Sequence, residues 1–176
     1  MSEIEAILFD EKTIERRARE LAAAISKDYA GRELVLVCIL KGAVVFTADL
    51  MRYLSIPTTI EFIQASSYGD AAVSSRMITM KKDIDVDVKG KDVLLVDCII
   101  DTGDTMAYVM ERFREKGPAS LEAVVLLDKK PRRRVDVAVK YIGYEIPDRF
   151  VVGYGLDYAQ QYRCLPYIAA LTPGAE

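Results

Sequence analysis

Histidine is absent from the chain, and that one gap removes several chemistries together. Ser-His-Asp and Cys-His nucleophile systems are excluded, as are histidine-ligated metal sites. Any general base must be a carboxylate, with Lys, Tyr or Cys as poorer alternatives. Any metal would sit among oxygen ligands, as Mg2+ does. Cysteine is scarce: Cys38, Cys98 and Cys164 are widely spaced, odd in number and form no CxxC pair. That pattern favours reduced thiols in a cytoplasm over a disulfide framework or a zinc site. No apolar window reaches about 18 residues, and no basic-then-apolar start resembles a signal peptide. An excess of positive charge is missing too. With 24 Lys and Arg against 27 Asp and Glu the net charge is −3, which offers no blanket attraction to nucleic acid or membrane.

What is present suits one globular domain over residues 1–176, long enough to bury a real core. There are no internal repeats, low-complexity tracts or linkers. Residues 93–96 form an unbroken apolar run, the mark of a strand buried on both faces of a parallel sheet. The sequence then turns small and polar at Asp101-Thr102-Gly103-Asp104-Thr105. Met106, Val109, Met110 and Phe113 follow at i, i+3, i+4, i+7, one apolar helical stripe. Strand, Thr/Gly turn and helix aim backbone N–H groups and a positive dipole end at an anion. Thr102 and Thr105 add hydroxyl donors, and Gly103 allows close approach. The stretch reads as a cradle for a phosphate monoester, and its acids suggest a sugar phosphate whose hydroxyls they would hold.

Around this centre, Ile14, Ala18, Leu21, Ala22 and Ile25 predict a helix capped at Asp10 or Thr13 and ending before Gly31. Ile7-Leu8-Phe9-Asp10 resembles an aspartyl-phosphate motif, but position 12 is Lys where a second Asp is needed, so a strand end and helix cap is the better reading. Residues 34–40 predict a second buried strand. It stops at Lys41-Gly42, where open α/β sheets bind ligands, although a simple turn with a solvated lysine fits the local sequence as well. A helix is expected over 43–54 and a strand over 58–65. The small, polar residues 66–76 are either a lid or a plain loop. Residues 81–91 read as an exposed hairpin arm, 121–127 as a third buried strand, and 137–142 and 150–152 as further strands. The basic run Lys129-Lys130-Pro131-Arg132-Arg133-Arg134 reads as a solvated loop, since no interleaved aromatic makes it a nucleic-acid platform.

Residues 94–106 resemble the phosphoribosyl-diphosphate signature of the type I phosphoribosyltransferases: four apolar residues, an acidic pair, two apolar residues, then Asp-Thr-Gly-x-Thr. Leu40-Lys41-Gly42, Ser66-Ser67-Tyr68-Gly69 and residues 145–158 extend the likeness to the hypoxanthine(-guanine) phosphoribosyltransferases. The resemblance implies an α/β fold, a central parallel sheet flanked by helices, with a small hood subdomain built from both chain ends. It implies transfer of 5-phosphoribosyl from 5-phosphoribosyl 1-diphosphate to a 6-oxopurine with Mg2+, in a homodimer or homotetramer. Neither nucleic acid nor membrane is an expected partner.

By the same resemblance, Asp97, Thr102, Gly103, Asp104 and Thr105 bind the phosphoribosyl group. Lys41, Gly42, Ser67, Tyr68 and Arg163 bind the diphosphate, with the peptide before Lys41 open to a cis form. Lys129, Phe150, Val151 and Asp157 bind the purine, Lys129 at its 6-oxo group and Phe150 stacked on the ring. Asp97 and Asp157 are the metal acids, and Asp101 is the carboxylate managing the base proton near N7. One departure stands out: the family's second adjacent acid is Cys98 here. A cysteine lacks the hard oxygen that ribose hydroxyls or metal-bound water prefer, so Cys98→Asp is expected to lower the substrate KM. Two rival readings remain, a non-catalytic sensor on the same fold, citing Cys98 and the arginine run, and a transferase for another base such as xanthine.

Overall fold

The computed structural model describes residues 3–68 and 77–172. In chain order it runs β1 (Glu3–Phe9), α1 (Glu11–Asp28), β2 (Leu34–Leu40), α2 (Val44–Tyr53), β3 (Thr58–Tyr68), β4 (Met77–Lys82), β5 (Asp92–Ile100) and α3 (Asp104–Glu115). It continues with β6 (Ser120–Asp128), a 3₁₀ turn (Lys130–Arg132), β7 (Tyr141–Glu145), β8 (Val151–Val152) and β9 (Ile168–Thr172). Six strands form one sheet in the order β4-β3-β2-β5-β6-β7. All neighbours are parallel except the β3–β4 pair. The continuous apolar runs occupy its middle because a central parallel strand is covered on both faces.

Alternation along β5 divides its side chains between two cores. Leu94, Val96 and Cys98 pack with Ile14, Leu21, Phe46 and Leu50 under α1 and α2. Val93 and Leu95 pack with Val109, Met110 and Phe113 under α3. The predicted helical stripes of α1 and α3 are the faces they bury. Asp10 caps α1 by accepting the Thr13 N–H at 2.8 Å. A second, three-stranded sheet has β9 in the middle, antiparallel to β1 and β8. Phe9 at the end of β1 stacks on Tyr144 of β7 with ring centres 4.4 Å apart, so the small sheet rests on the edge of the large one.

Three expectations change. Residues 81–91 are not an exposed hairpin arm: β4 ends at Lys82 and pairs with β3, and Ile84 and Val88 are buried against the α3 side. Strand alternation would put Val86 on the same face, yet it is exposed, so the segment is an irregular crossing and not a strand. The predicted strand over 137–142 starts only at Tyr141. Upstream of it, the Arg134 and Val135 N–H groups are spent on the Thr102 carbonyl instead of a strand ladder. The strand expected over 58–65 runs on to Tyr68, taking in the first residues assigned to the loop over 66–76. The rest of that predicted lid, 69–76, lies outside the described residues.

Candidate active site

Between the end of β5 and the start of α3 lie only Asp101, Thr102 and Gly103. Gly103 caps the helix at φ +89°. A Cβ there would meet the Val135 carbonyl oxygen at 2.5 Å, so both backbone shape and space require glycine. Gly103 offers no capping side chain, and Thr102 Oγ1 accepts the Asp104 N–H at 3.4 Å, which leaves the following N–H groups and the positive end of α3 for a ligand. A cavity of about 120 Å³ opens there, lined by Asp97, Asp101, Thr102, Gly103 and Thr105, with Ile99, Ile100 and Met106. Asp104 does not line it.

A second cavity, about 180 Å³, shares Ile99 and Asp101 with the first and adds Lys129, Arg132, Phe150, Val151, Leu156 and Asp157. All four predicted purine contacts are therefore brought together. Lys129, at the end of β6, is only 4% exposed, and its Nζ lies 3.7 Å from Asp101 Oδ2. An Arg132 guanidinium nitrogen lies 3.7 Å from that same oxygen. The other carboxylate oxygen, Oδ1, is buried with no hydrogen-bond partner. A buried acceptor left in that state is costly unless something arrives to satisfy it. Phe150 is partly exposed and meets Tyr158 edge-to-face at 5.5 Å. A larger cavity of about 390 Å³ between α1, α2 and residues 163–166 is lined by none of Asp97, Asp101, Lys129 or Phe150.

On the far side of Asp157 three of the predicted diphosphate residues, Lys41, Gly42 and Arg163, converge. The Leu40–Lys41 peptide is cis. Lys41 Nζ and an Arg163 guanidinium nitrogen both donate to Gln160 Oε1, at 3.4 and 3.3 Å. Arg163 also donates to the Gly155 carbonyl at 2.6 Å and pairs with Asp157 at 2.8 Å. Gly155, at φ +96°, brings its backbone hard against the Gly42 carbonyl. Ser67 and Tyr68 close β3, with backbones opposite Ile78 and Met77 of β4.

Asp97 and Cys98 face opposite ways. Asp97 opens onto the phosphate-turn cavity, and its Oδ1 accepts the Cys98 N–H at 2.7 Å. Burial pushes its carboxyl up to about 7, against the pull of the Cys98 and Ile99 N–H groups. Cys98 is fully buried beneath α1 and α2, its thiol 3.9 Å from the Tyr154 carbonyl, and burial raises its pKa. The expectation that Cys98→Asp would improve substrate binding is therefore corrected: position 98 does not reach the cavity, and a carboxylate there would be stranded in the core.

Three residues near these cavities escaped the sequence reading. Arg132 and Arg133 belonged to a run taken as solvated. Lys130, Arg132 and Arg134 are exposed, as a solvated run would be, but Arg132 faces Asp101 and Asp148, and the half-buried Arg133 pairs with Asp128. Their only signal was a cluster of cations just beyond a buried strand. Gln160 carried none, since its partner Lys41 lies 119 positions away.

A sheet whose strand ends carry a Thr/Gly phosphate turn, beside a carboxylate-and-lysine cavity, defines a phosphoribosyl-handling protein. The chain belongs to the phosphoribosyl transferase domain family, whose model matches residues 6–159. It is 42% identical over 171 residues to the hypoxanthine-guanine phosphoribosyltransferase of Bacillus subtilis, covering 97% of this chain and 95% of that one. It is 46% identical over 164 residues to the hypoxanthine phosphoribosyltransferase of Escherichia coli K12, covering 92% of each. Among solved structures, a hypoxanthine-guanine phosphoribosyltransferase from Bacillus anthracis superposes with a TM-score of 0.91 at 42% identity, over 98% of this chain and all of the other. The Staphylococcus aureus hypoxanthine phosphoribosyltransferase gives 0.92 at 42% identity, over 97% and 92%.

Proposed function

We propose that this chain is a purine-salvage enzyme that transfers 5-phosphoribosyl from 5-phosphoribosyl 1-diphosphate to hypoxanthine or guanine. The products are the nucleoside monophosphate and pyrophosphate. The observation that carries the reading is Asp101. One of its oxygens faces two cations, the other is buried and unsatisfied, and both stand where the phosphate-turn cavity meets the Lys129 cavity.

In this reading the 5′-phosphate sits on the N–H groups and hydroxyls of residues 102–105, and Asp97 holds the ribose hydroxyls. The purine lies against Phe150 with its 6-oxo group toward Lys129, which selects against the amino group of adenine. As the base attacks the sugar carbon, the bond to the diphosphate breaks and the ring nitrogen gives its proton to Asp101 Oδ1. Lys41, Gly42 and Arg163 hold the departing diphosphate with fixed donors. Ser67 and Tyr68, at the end of β3, close over the diphosphate in this reading and keep water from it.

Mg2+ fits the donor set. Asp97 and Asp157 offer two hard carboxylates, that of Asp157 already shared with Arg163 and the Gln160 N–H. That suits an ion carried largely by substrate oxygens and water. When bound, it neutralises charge on the diphosphate. A homodimer or homotetramer is supported by Val44, Ala48 and Met51, apolar and exposed on one face of α2. Three free cysteines suit a reducing cytoplasm. Among the described residues no helix is long and apolar enough to cross a membrane. The sensor alternative keeps less of its support, because Cys98 is in the core and Arg133 is paired with the buried Asp128.

The test is incubation with Mg2+, the diphosphate sugar and each of hypoxanthine, guanine, xanthine, adenine and uracil. Nucleotide from hypoxanthine or guanine, and little from adenine or uracil, is the expected result. Product from xanthine alone would move the assignment to another base, and none from any base would end it.

A further inference from the structure

Behind the phosphate turn, on the side away from its cavity, lies an ion pair that the reaction does not use. Asp128, the last residue of β6, is 2% exposed and pairs with Arg133, whose side chain is 17% exposed. The same guanidinium donates through Nε to the carbonyl oxygen of Asp101 at 3.1 Å. The next two residues continue the contact. The Arg134 and Val135 N–H groups both donate to the carbonyl oxygen of Thr102, at 2.8 and 3.0 Å. A Cβ on Gly103 would come within 2.9 Å of Arg133 Cδ, so the arginine stem is packed directly against the turn. Arg133 lines neither cavity.

We propose that Arg133 is a positioning residue for the phosphate turn, holding the Asp101 carbonyl so that the Thr102 N–H faces the sugar phosphate, while the backbone N–H groups of Arg134 and Val135 hold the next peptide. In a trans peptide the C=O and N–H vectors point opposite ways. Fixing the carbonyls of Asp101 and Thr102 from behind therefore turns the N–H groups of Thr102 and Gly103 away from residues 133–135, toward the cavity. Long-range attraction is not its purpose, because Asp128 neutralises the charge where it sits. The task needs the guanidinium fork, which donates in two fixed directions at once; an ammonium keeps one partner and drops the other. The unpaired Oδ1 of Asp101 inherits its place from the same peptide, so phosphate and base ends are set by one anchor.

This inference rests on the phosphoribosyl reading above, and the experiment separates the two. Inosine monophosphate affinity is measured by calorimetry for the full chain and for Arg133→Lys and Arg133→Gln, alongside thermal unfolding and the KM of each substrate. Arg133→Lys is expected to fold as the parent does yet bind inosine monophosphate about tenfold more weakly. Its KM for the diphosphate sugar should rise by a similar factor while the KM for hypoxanthine stays within about threefold. Arg133→Gln should lose at least as much. A folded Arg133→Lys that binds the nucleotide as the parent does overturns the proposal. An Arg133→Lys that cannot fold overturns it too, because the arginine is then needed for packing. A parent that fails to bind inosine monophosphate defeats the underlying reading instead.

Discussion

The Tyr154 hydroxyl donates to Asp49 Oδ2 across 2.6 Å, and this bond ties the turn at residues 153–155 to helix α2. The helix starts just after Lys41-Gly42, and Gly155 rests its backbone on Gly42. This buried phenol thus adds to the Lys41–Gln160 hydrogen bond in holding the candidate diphosphate loop to the Asp157–Arg163 loop. Tyr154→Phe leaves Asp49 without this donor and should cost about 1–3 kcal/mol. Thermal unfolding should show it as a drop of several degrees, accompanied by a raised KM for the diphosphate substrate.

Asp101→Asn keeps the shape of the turn and removes the proton acceptor. We expect normal folding, retained affinity for inosine monophosphate, and kcat lowered by about 10²–10⁴. Steady-state rates beside nucleotide titration check both halves. Full activity in this variant would remove Asp101 from the reaction.

Asp97 gives the metal-free protein a pH signature. Its carboxyl, ordinarily at 3.8, is raised to about 7 in the folded state, so between those values the native protein holds a proton that the unfolded chain has released. Its contribution to stability is full in acid below the unfolded value and is lost as pH rises through about 7. Asp97→Asn cannot ionise. It should match the parent near pH 4 and exceed it near pH 8 by on the order of 2 kcal/mol, a value reduced for water reaching the side chain through the cavity. Denaturant titrations in chelator at both pH values decide the sign.

Cys98→Asp places a carboxylate among Leu94, Val96 and Phe46 with no cation at hand. Loss of several kcal/mol is expected, enough to unfold much of the protein at physiological temperature. Cys98→Ala or Cys98→Val should leave the substrate KM near the parent value. A soluble Cys98→Asp with an improved KM would place the side chain on the wrong face.

The sequence was most legible where a rule is local. Val93 to Val96 announced a buried strand, Met106 to Phe113 a helical face, and the residues between them an anion cradle, because each signal is complete within a few positions. It was least legible where meaning depends on a distant partner. Val137 and Val139 look like strand residues, yet the strand starts only at Tyr141. Ile84 and Val88 look exposed among aspartates until α3 covers them. Arg133 looks like one more surface cation until Asp128 and the Asp101 carbonyl both claim it. Periodicity records which face a residue shows, and not which hydrogen bond it will answer.

The small sheet has its own consequence for how the molecule comes into being. Its middle strand, β9, is the last in chain order, and β1 and β8 meet only through it. Val151 of β8 forms part of the base cavity wall. During synthesis β8 gains its partner strand only once β9 has left the ribosome, so Val151 acquires this ladder after the central sheet is complete.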